Sequence, residues 1–191
     1  MKRDLCGRLV RKHLDPRSLV YCALGSTART WRAQEAPHLS YYGSDPMGIA
    51  LPTALGLALA RPERPVLFIG GDGDLVMGLG CLLTVVGARP KNFKMLIFDN
   101  GRYETGGGQL LAGSGAYSLE AIARGAGFPY AASVGDPEKS ETALVEFLAQ
   151  PGLAFLAAGI DQEDAPYPPA PALAQVEERT LFMHRLAVLK D

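Results

Sequence analysis

Short apolar runs alternate along the chain with longer segments of helical composition, and this alternation constrains the fold more than any other feature. Three runs have the length and content of buried strands: "LVYCAL" (19–24), "PVLFI" (65–69) and "FKMLIFD" (93–99). A weaker run, "LAFLAAG", covers 153–159. Continuously apolar strands that alternate with helices are typical of parallel sheets covered on both faces. We therefore predict a single three-layer α/β domain with a mostly parallel, doubly wound sheet.

The intervening segments predict five helices, near 3–14, 48–60, 75–88, 118–126 and 138–150. The composition changes after residue 160, where "DQEDAPYPPAPALAQ" is acidic and rich in proline, as in an extended arm. The last segment, "AQVEERTLFMHRLAVLK", has apolar residues near helical spacing. We expect a domain over 1–160, a Pro-rich arm over 161–172, and a helix over 173–191 that docks on the domain or on a partner.

Length and charge favour one domain with a small-molecule site. The chain has 191 residues, and its 19 Lys and Arg against 20 Asp and Glu offer no electrostatic attraction for nucleic acid or an anionic membrane. Its three cysteines, Cys6, Cys22 and Cys81, form no C-x-x-C pair, so neither a disulfide framework nor a zinc site is indicated. No apolar run reaches about 18 residues. We expect a cytoplasmic protein without a signal peptide or membrane span.

The segment "GGDGDLVMGLG" (70–80) follows the apolar run at 65–69. Ligands of open parallel sheets bind at the carboxyl ends of the strands, where Gly71 and Gly73 would permit close approach of the backbone. The N–H groups of a following helix would favour a phosphate, whereas the carboxylates of Asp72 and Asp74 would repel one. A cation between the acids and the phosphate removes this conflict. The segment therefore predicts a metal ion.

The next strand, 93–99, also ends in polar residues, in the sequence "DNGRYETGGGQ". Its Asn100 would arrive at the same edge of the sheet as Asp72. Magnesium prefers oxygen ligands and uses one or two carboxylates together with phosphates and water. Asp72, the side-chain oxygen of Asn100 and the backbone carbonyl of Arg102 would form a half-shell that opens toward a diphosphate.

These motifs resemble those of the thiamine-diphosphate enzymes. "GDGD" at 71–74, followed by asparagine at 100, resembles their signature, in which GDG precedes Asn at about this interval. Residues 45–80 are similar to the run before that signature in the decarboxylase and acetolactate-synthase group. "FDNGRYETGGGQ" (98–109) resembles a loop of the sulfopyruvate and phosphonopyruvate decarboxylases, and "ALGSTART" (23–30) occupies the place of their early Gly–Ser loop. The resemblance covers most of residues 10–160.

The resemblance implies two cofactors, thiamine diphosphate and Mg²⁺. The metal ligands it implies are Asp72, Asn100 and the carbonyl of Arg102. Met47, which precedes Gly48, matches the bulky residue that wedges under the thiamine and bends it. Glu104 lies in the loop that closes over the cofactor, and we interpret it as a solvated acid. The implied cofactor-binding residues are Gly25, Ser26, Met47, Gly48, Gly71, Gly73, Asp74, Tyr103 and Thr105.

Two positions depart from the decarboxylase pattern. Asp74 stands where decarboxylases commonly have Ser or another small residue, while GDGD is frequent in β subunits of 2-oxoacid:ferredoxin oxidoreductases. Those subunits usually carry an N-terminal cysteine cluster, of which only Cys22 is present. Asp74 could cap the following helix or face the diphosphate. Asp45-Pro46 replaces the usual Gly-x before Met47, and we expect the Asp45 carbonyl to contact the aminopyrimidine instead.

Only the diphosphate-binding half of a thiamine-diphosphate active site is matched. In the family, a pyrimidine-binding domain contributes the catalytic Glu, and 191 residues leave no room for that domain. The resemblance thus implies the cofactor-binding subunit of a 2-oxo acid decarboxylase, inactive alone and completed by an α-type pyrimidine-domain chain in a dimer or larger oligomer. The alternatives are a β subunit of a 2-oxo acid oxidoreductase and a non-catalytic cofactor-binding subunit.

Overall fold

A six-stranded, entirely parallel sheet forms the centre of the protein. The computed structural model describes residues 1–162 and 175–189. The strands of the sheet are β1 (Leu19–Cys22), β2 (Leu39–Tyr42), β3 (Val66–Gly71), β4 (Phe93–Asp99), β7 (Tyr130–Val134) and β8 (Ala154–Gly159), in the order β2-β1-β3-β4-β8-β7. Between β4 and β7, β5 (Arg102–Tyr103) and β6 (Gln109–Leu110) form a short antiparallel hairpin. The predicted α/β fold with a parallel sheet is confirmed.

Helices cover both faces of the sheet. They are α1 (Arg3–His13), α2 (Ser26–Ala33), α3 (Ala50–Ala60), α4 (Asp72–Met77), α5 (Cys81–Ala88), α6 (Leu119–Ala126), α7 (Pro137–Ala149) and α8 (Gln175–Val188). Alternate side chains of β3 enter opposite cores: Phe68 packs with residues of α3, α5 and α6, while Leu67 packs with those of α1, α2 and α7. Both sides of β3 are therefore buried, which explains its uninterrupted apolar sequence.

The strand order reverses at β1, and this reversal positions the site. From β1 the chain crosses to β2 on one side, and β3 then pairs with the other side of β1. Chain segments leaving β1 and β3 in opposite directions open a crevice at the carboxyl ends of the two strands. The segments that begin at Gly25 and Asp72 flank this crevice.

The single helix predicted over 75–88 is wrong, because two helices occupy this region. Helix α4 begins at Asp72, and the chain from Gly78 to Gly80 separates it from α5. A Cβ on Gly78 would lie 2.4 Å from the carbonyl oxygen of Gly48. The backbone of Gly78 thus packs closely on that of Gly48 at the point where the two helices are separated. The local sequence pattern does not predict this contact.

Five elements were absent from the sequence-based prediction: α2, the edge strands β2 and β7, and the two short strands β5 and β6. Strands β2 and β7 are the two edges of the sheet, so fewer of their side chains are buried than in β3. Their sequences, "LSYY" and "YAASV", consequently lack a continuous apolar run. Helix α2, "STARTWRA", is mostly polar and anchors itself through the buried ring of Trp31.

Helix α8 packs against the β2 edge of the sheet. Its Phe182 is buried, with its ring centroid 5.4 Å from that of Tyr41, and Glu178 pairs with Arg32 of α2 at 3.4 Å. Beyond residue 162, the Pro-rich arm expected over 161–172 lies outside the described residues. Among the residues that the structure describes, no helix combines the length and apolarity needed to cross a bilayer.

Candidate functional site

A cavity lies at the crevice between β1 and β3, where segments following β1, β3 and β4 converge. Of the residues proposed from the sequence, all line this cavity except Gly25, Asp45 and Gly48. Gly25 contacts the cavity residue Thr105, and Gly48 contacts the cavity residue Asp74. The wall also includes Arg3 and Thr27, which the sequence did not assign to the site, and Glu104, which it placed in the covering loop as a solvated acid. The fold thus gathers residues separated by about a hundred positions.

Asp72 connects the ends of β3 and β4. Its Oδ2 accepts hydrogen bonds from the backbone N–H groups of Asn100 (3.0 Å) and Gly101 (2.6 Å), and its Oδ1 accepts one from Gly73 (2.8 Å). The residue is only 3% exposed. Burial raises the pKa of Asp72 to about 7 despite these hydrogen bonds, and the adjacent Asp99 contributes in the same direction. A cation at this position would offset the cost of burying the charge.

Asn100 organises the turn that follows β4. Its Oδ1 accepts a hydrogen bond from the backbone of Arg102 (2.9 Å), and its Nδ2 donates to Oε1 of Glu104 (2.6 Å). Gly101 between them has φ +71°, a backbone conformation that favours glycine. The structure therefore brings Asp72, Asn100 and Arg102 together, as the sequence predicts, while their assignment as metal ligands stays a prediction.

Asp74 does not cap a helix, so that alternative is wrong. Helix α4 begins at Asp72, which places Asp74 inside its first turn. Oδ1 of Asp74 accepts a hydrogen bond from the backbone of Gly48 (2.8 Å), while its buried Oδ2 has no hydrogen-bond partner in the part of the chain that the structure describes. Burial also raises the pKa of Asp74. The side chain holds the segment before α3 in place and leaves one oxygen available to a ligand.

Gly73 lies under two larger side chains. A Cβ at this position would be 2.7 Å from Cδ1 of Tyr103 and 3.3 Å from Cε of Met47. These short distances show that both side chains pack directly on the glycine. Tyr103 comes from the β5–β6 hairpin, and Met47 comes from the segment before α3. Met47 consequently lies at the cavity wall, where a wedge under a cofactor could act.

Glu104 is the main correction to the sequence-based site, because it is not the solvated acid that we expected. Its carboxylate accepts hydrogen bonds from Ser26 Oγ, from Asn100 Nδ2 and from the guanidinium of Arg3. Its neighbour Thr105 lies against Gly25, where a Cβ would be 2.5 Å from Oγ1. Nothing in the local sequence marks Arg3, because it reaches the cavity only through the packing of α1.

The donor set suits a metal ion bound to a diphosphate. Within the described residues, no cation pairs with buried Asp72, and no group donates a hydrogen bond to Oδ2 of Asp74. Helix α2 begins after Gly25, which has no side chain to cap it, so its first N–H groups are available to an anion. These features fit a cation that bridges carboxylates to phosphate oxygens.

Comparison of the fold identifies a related solved structure. The protein from Mycobacterium smegmatis described as a thiamin diphosphate-dependent enzyme superposes with a TM-score of 0.72, at 20% sequence identity. The match covers 85% of this chain and 32% of that one. At this identity the likeness establishes the shared fold.

Sequence comparison identifies closer relatives. The phosphonopyruvate decarboxylase of Streptomyces hygroscopicus is 36% identical over 139 residues, which are 73% of this chain and 34% of that enzyme. The β subunit of sulfopyruvate decarboxylase from Methanocaldococcus jannaschii is 40% identical over 88 residues, 46% of each chain. The corresponding β subunit from Methanothermobacter thermautotrophicus is 38% identical over 112 residues, 58% of each chain. The matched part of this chain thus spans about a third of the Streptomyces enzyme and about half of the β subunits.

A family model covers most of the chain. Residues 22–158 match the model of the thiamine pyrophosphate enzyme, C-terminal TPP binding domain, a range that runs from the end of β1 into β8 and includes Asp72 and Asn100. Thiamine pyrophosphate is thiamine diphosphate. The parallel fold, the site at its switch point and this match agree, and the chain belongs to the family of thiamine-diphosphate-binding domains of thiamine pyrophosphate enzymes.

Proposed function

We propose that this chain is the thiamine-diphosphate- and Mg²⁺-binding subunit of a 2-oxo acid decarboxylase. The observation that carries the proposal is the buried carboxylate of Asp72, which pairs with no cation among the described residues and accepts hydrogen bonds from the backbone of Asn100 and Gly101. In a thiamine-diphosphate-binding fold, such a carboxylate would serve as a ligand of the metal ion that accompanies the cofactor diphosphate.

Each residue has a defined task in this proposal. Asp72, the side-chain oxygen of Asn100 and the carbonyl of Arg102 would hold Mg²⁺. Ser26, Gly73 and Asp74 would lie against the diphosphate. When bound, the cofactor supplies a thiazolium ring that accepts the electron pair left by departing carbon dioxide.

The remaining residues shape and close the cavity. Met47 would press under the thiamine and impose the bent conformation, while the hydrogen bond from Gly48 to Asp74 fixes the segment that carries Met47. Tyr103 and Thr105 of the hairpin would exclude water from above. The catalytic Glu is expected from the partner chain.

Two observations support an active site shared with another chain. The methanogen relatives are β subunits, a name that implies another subunit, and equal covered shares make them about as long as this chain.

The names of the relatives also indicate the substrate class, a small 2-oxo acid carrying a second acidic group, phosphonate or sulfonate. We propose the same class of substrate here and a pyrimidine-domain partner that completes the site.

Calorimetric titration of thiamine diphosphate, with and without Mg²⁺, tests the cofactor assignment. Asp72→Ala and Asn100→Ala should abolish the Mg²⁺-dependent part of binding, because each removes a proposed metal ligand. Asp15→Ala is the matched control and should bind as wild type does. Asp15 is exposed and precedes β1, so it lies at the amino ends of the strands, away from the cavity at their carboxyl ends. Unchanged binding by both site variants in Mg²⁺ would contradict the metal site.

Carbon dioxide release tests the reaction. Phosphonopyruvate and sulfopyruvate should lose carbon dioxide only when this chain is mixed with its pyrimidine-domain partner. Release that requires an external electron acceptor would instead identify the β subunit of a 2-oxo acid oxidoreductase. Cofactor binding without turnover in the presence of every candidate partner would identify a non-catalytic subunit.

A further inference from the structure

Arg3 is a buried cation at the edge of the proposed cofactor site. It lies in the first turn of α1, is only 3% exposed and lines the same cavity as Asp72 and Asn100. Its guanidinium pairs with the carboxylate of Glu104, while its buried Nε has no hydrogen-bond partner among residues 1–162 and 175–189. A guanidinium taken out of water at this cost requires an anion to face.

The carboxylate that Arg3 now faces occupies a nest of donors from three separate parts of the fold. Arg3 of α1, the hydroxyl of Ser26 at the start of α2, and Nδ2 of Asn100 after β4 all donate to Glu104. Such a convergence of a guanidinium, a hydroxyl and an amide suits a phosphate group as well as it suits a carboxylate. Glu104 belongs to the chain between β5 and β6, whereas its donors belong to the body of the domain.

The charge of the cavity identifies Arg3 as the cation that a diphosphate needs. A fully ionised diphosphate ester carries more negative charge than one Mg²⁺ neutralises, and Asp72 and Asp74 add to it. Among the described residues that line the cavity, only Arg3 and Arg102 are cationic. Arg102 directs its Nη1 at the carbonyl of Gly108, within its own hairpin (2.9 Å). Arg3 is therefore the cation aimed at the nest.

We propose that Arg3 binds the terminal phosphate of the cofactor and that Glu104 competes with this phosphate for Arg3 and Ser26. In the structure, the Glu104 carboxylate occupies this anion position and links the chain between β5 and β6 to the body of the domain. When the cofactor enters, its terminal phosphate takes the place of that carboxylate. This inference rests on the proposed binding of thiamine diphosphate.

Titration of Arg3→Met with two ligands, both in Mg²⁺, tests the contact. Thiamine diphosphate should bind the variant about 10- to 100-fold more weakly than it binds wild type, as expected for loss of a charged hydrogen bond. Thiamine monophosphate lacks the terminal phosphate, so its affinity should change less than about twofold. Arg8→Met, at an exposed arginine of the same helix, is the matched control and should bind both ligands as wild type does.

The competition is tested at Glu104. Glu104→Gln should bind thiamine diphosphate several-fold more tightly, because the variant side chain is a weaker competitor for Arg3. Weaker binding by Glu104→Gln would show that the carboxylate is itself needed in the bound state, and it would overturn the exchange. Thermal unfolding of each cofactor-free variant verifies that it is folded. If Arg3→Met does not fold, Arg3→Lys and the neutral pair Arg3→Met/Glu104→Gln provide the same comparison.

The outcomes separate this inference from the proposed function. If wild type binds no thiamine diphosphate in Mg²⁺, the proposed function fails. If wild type binds it but Arg3→Met weakens both thiamine phosphates equally, Arg3 has only a structural role. If Arg3→Met changes neither affinity but raises the KM for phosphonopyruvate in the two-chain enzyme, Arg3 faces the substrate acid. Either of the last two results overturns the terminal-phosphate contact.

Discussion

Asp72 and Asp74, two residues apart in the same glycine-rich segment, have different tasks. Asp72 receives three backbone hydrogen bonds and joins the ends of β3 and β4, whereas Asp74 receives one, from Gly48, and keeps an unpaired oxygen. Both carboxyls are buried, and burial raises the pKa of each. The cofactor-free protein therefore carries an electrostatic cost that a metal ion would reduce.

The raised pKa of Asp72 predicts a pH dependence of folding. The folded chain holds the Asp72 proton more tightly than the unfolded chain does, so this contribution to stability is present at low pH and is lost as pH rises through about 7. Asp72→Asn cannot ionise at this position. As pH rises from 5 to 8, the free energy of unfolding of wild type should therefore fall by about 1 to 3 kcal/mol more than that of Asp72→Asn.

Urea denaturation of the cofactor-free proteins at each pH measures this change. The comparison concerns the slope with pH, because an asparagine cannot accept all three backbone hydrogen bonds and lowers stability by a constant amount. Parallel pH profiles for wild type and Asp72→Asn would show that Asp72 has an ordinary pKa. Asp15→Asn, at an exposed site, should follow the wild-type profile.

At the scale of elements, the segment from α3 to α5 shows how tertiary contact overrides local pattern. Residues 75–88 have helical composition, yet α4 ends before Gly78, where the chain packs against the backbone of Gly48. The close approach brings Gly48 within hydrogen-bonding distance of Asp74 and so places Met47 at the cavity. The break between the helices is therefore part of the construction of the site.

Gly78→Ala should be strongly destabilising. Its Cβ would lie 2.4 Å from the carbonyl oxygen of Gly48, and this contact is with backbone, which cannot swing away as a side chain can. We expect a loss of about 2 to 4 kcal/mol in the free energy of unfolding, measured by urea denaturation. Gly80→Ala is the matched control, because its Cβ would meet no atom within 4 Å. Equal stability of the two variants would contradict the close packing of α4 on Gly48.

At the scale of the whole molecule, stability and function are separated along the sheet. Strands β3 and β4 pair on both sides and are buried on both faces, so they form the most stable part of the fold. The β5–β6 hairpin contributes a pairing of only two residues on each strand, yet it supplies Tyr103, Glu104 and Thr105 to the cavity. The hairpin that supplies these residues therefore has much less strand pairing than β3 and β4.

Hydrogen exchange measured by mass spectrometry should reveal this difference. In the cofactor-free chain, amides of 101–110 should exchange at least about 100-fold faster than those of 93–98, because the hairpin can open without unfolding the sheet. Thiamine diphosphate with Mg²⁺ should slow exchange in the hairpin, because Tyr103 and Thr105 would then pack over the bound cofactor, and it should leave β4 nearly unchanged. Equal protection of the hairpin and β4 before the cofactor is added would contradict this description.

The fold class and the features with a local pattern were predictable from the amino-acid sequence. Continuous apolar runs marked the buried strands β1, β3, β4 and β8, and the spacing of "GDGD" from Asn100 marked the cofactor motif. These features can be predicted from sequence because a strand buried on both faces requires apolar residues throughout, and because close approach of the backbone to a phosphate requires glycine. The edge strands β2 and β7 bury fewer side chains and left no such pattern.

Contacts between distant residues, in contrast, could be identified only from the folded structure. Arg3 and Glu104 are 101 positions apart and pair because α1 and the β5–β6 hairpin reach the same end of the sheet. Asp74 received its partner, Gly48, from a segment 26 positions earlier, and not from its own helix. Charge pairing and backbone contact depend on distance in space, which strand order and helix packing set, so periodicity along the chain carries no signal for them.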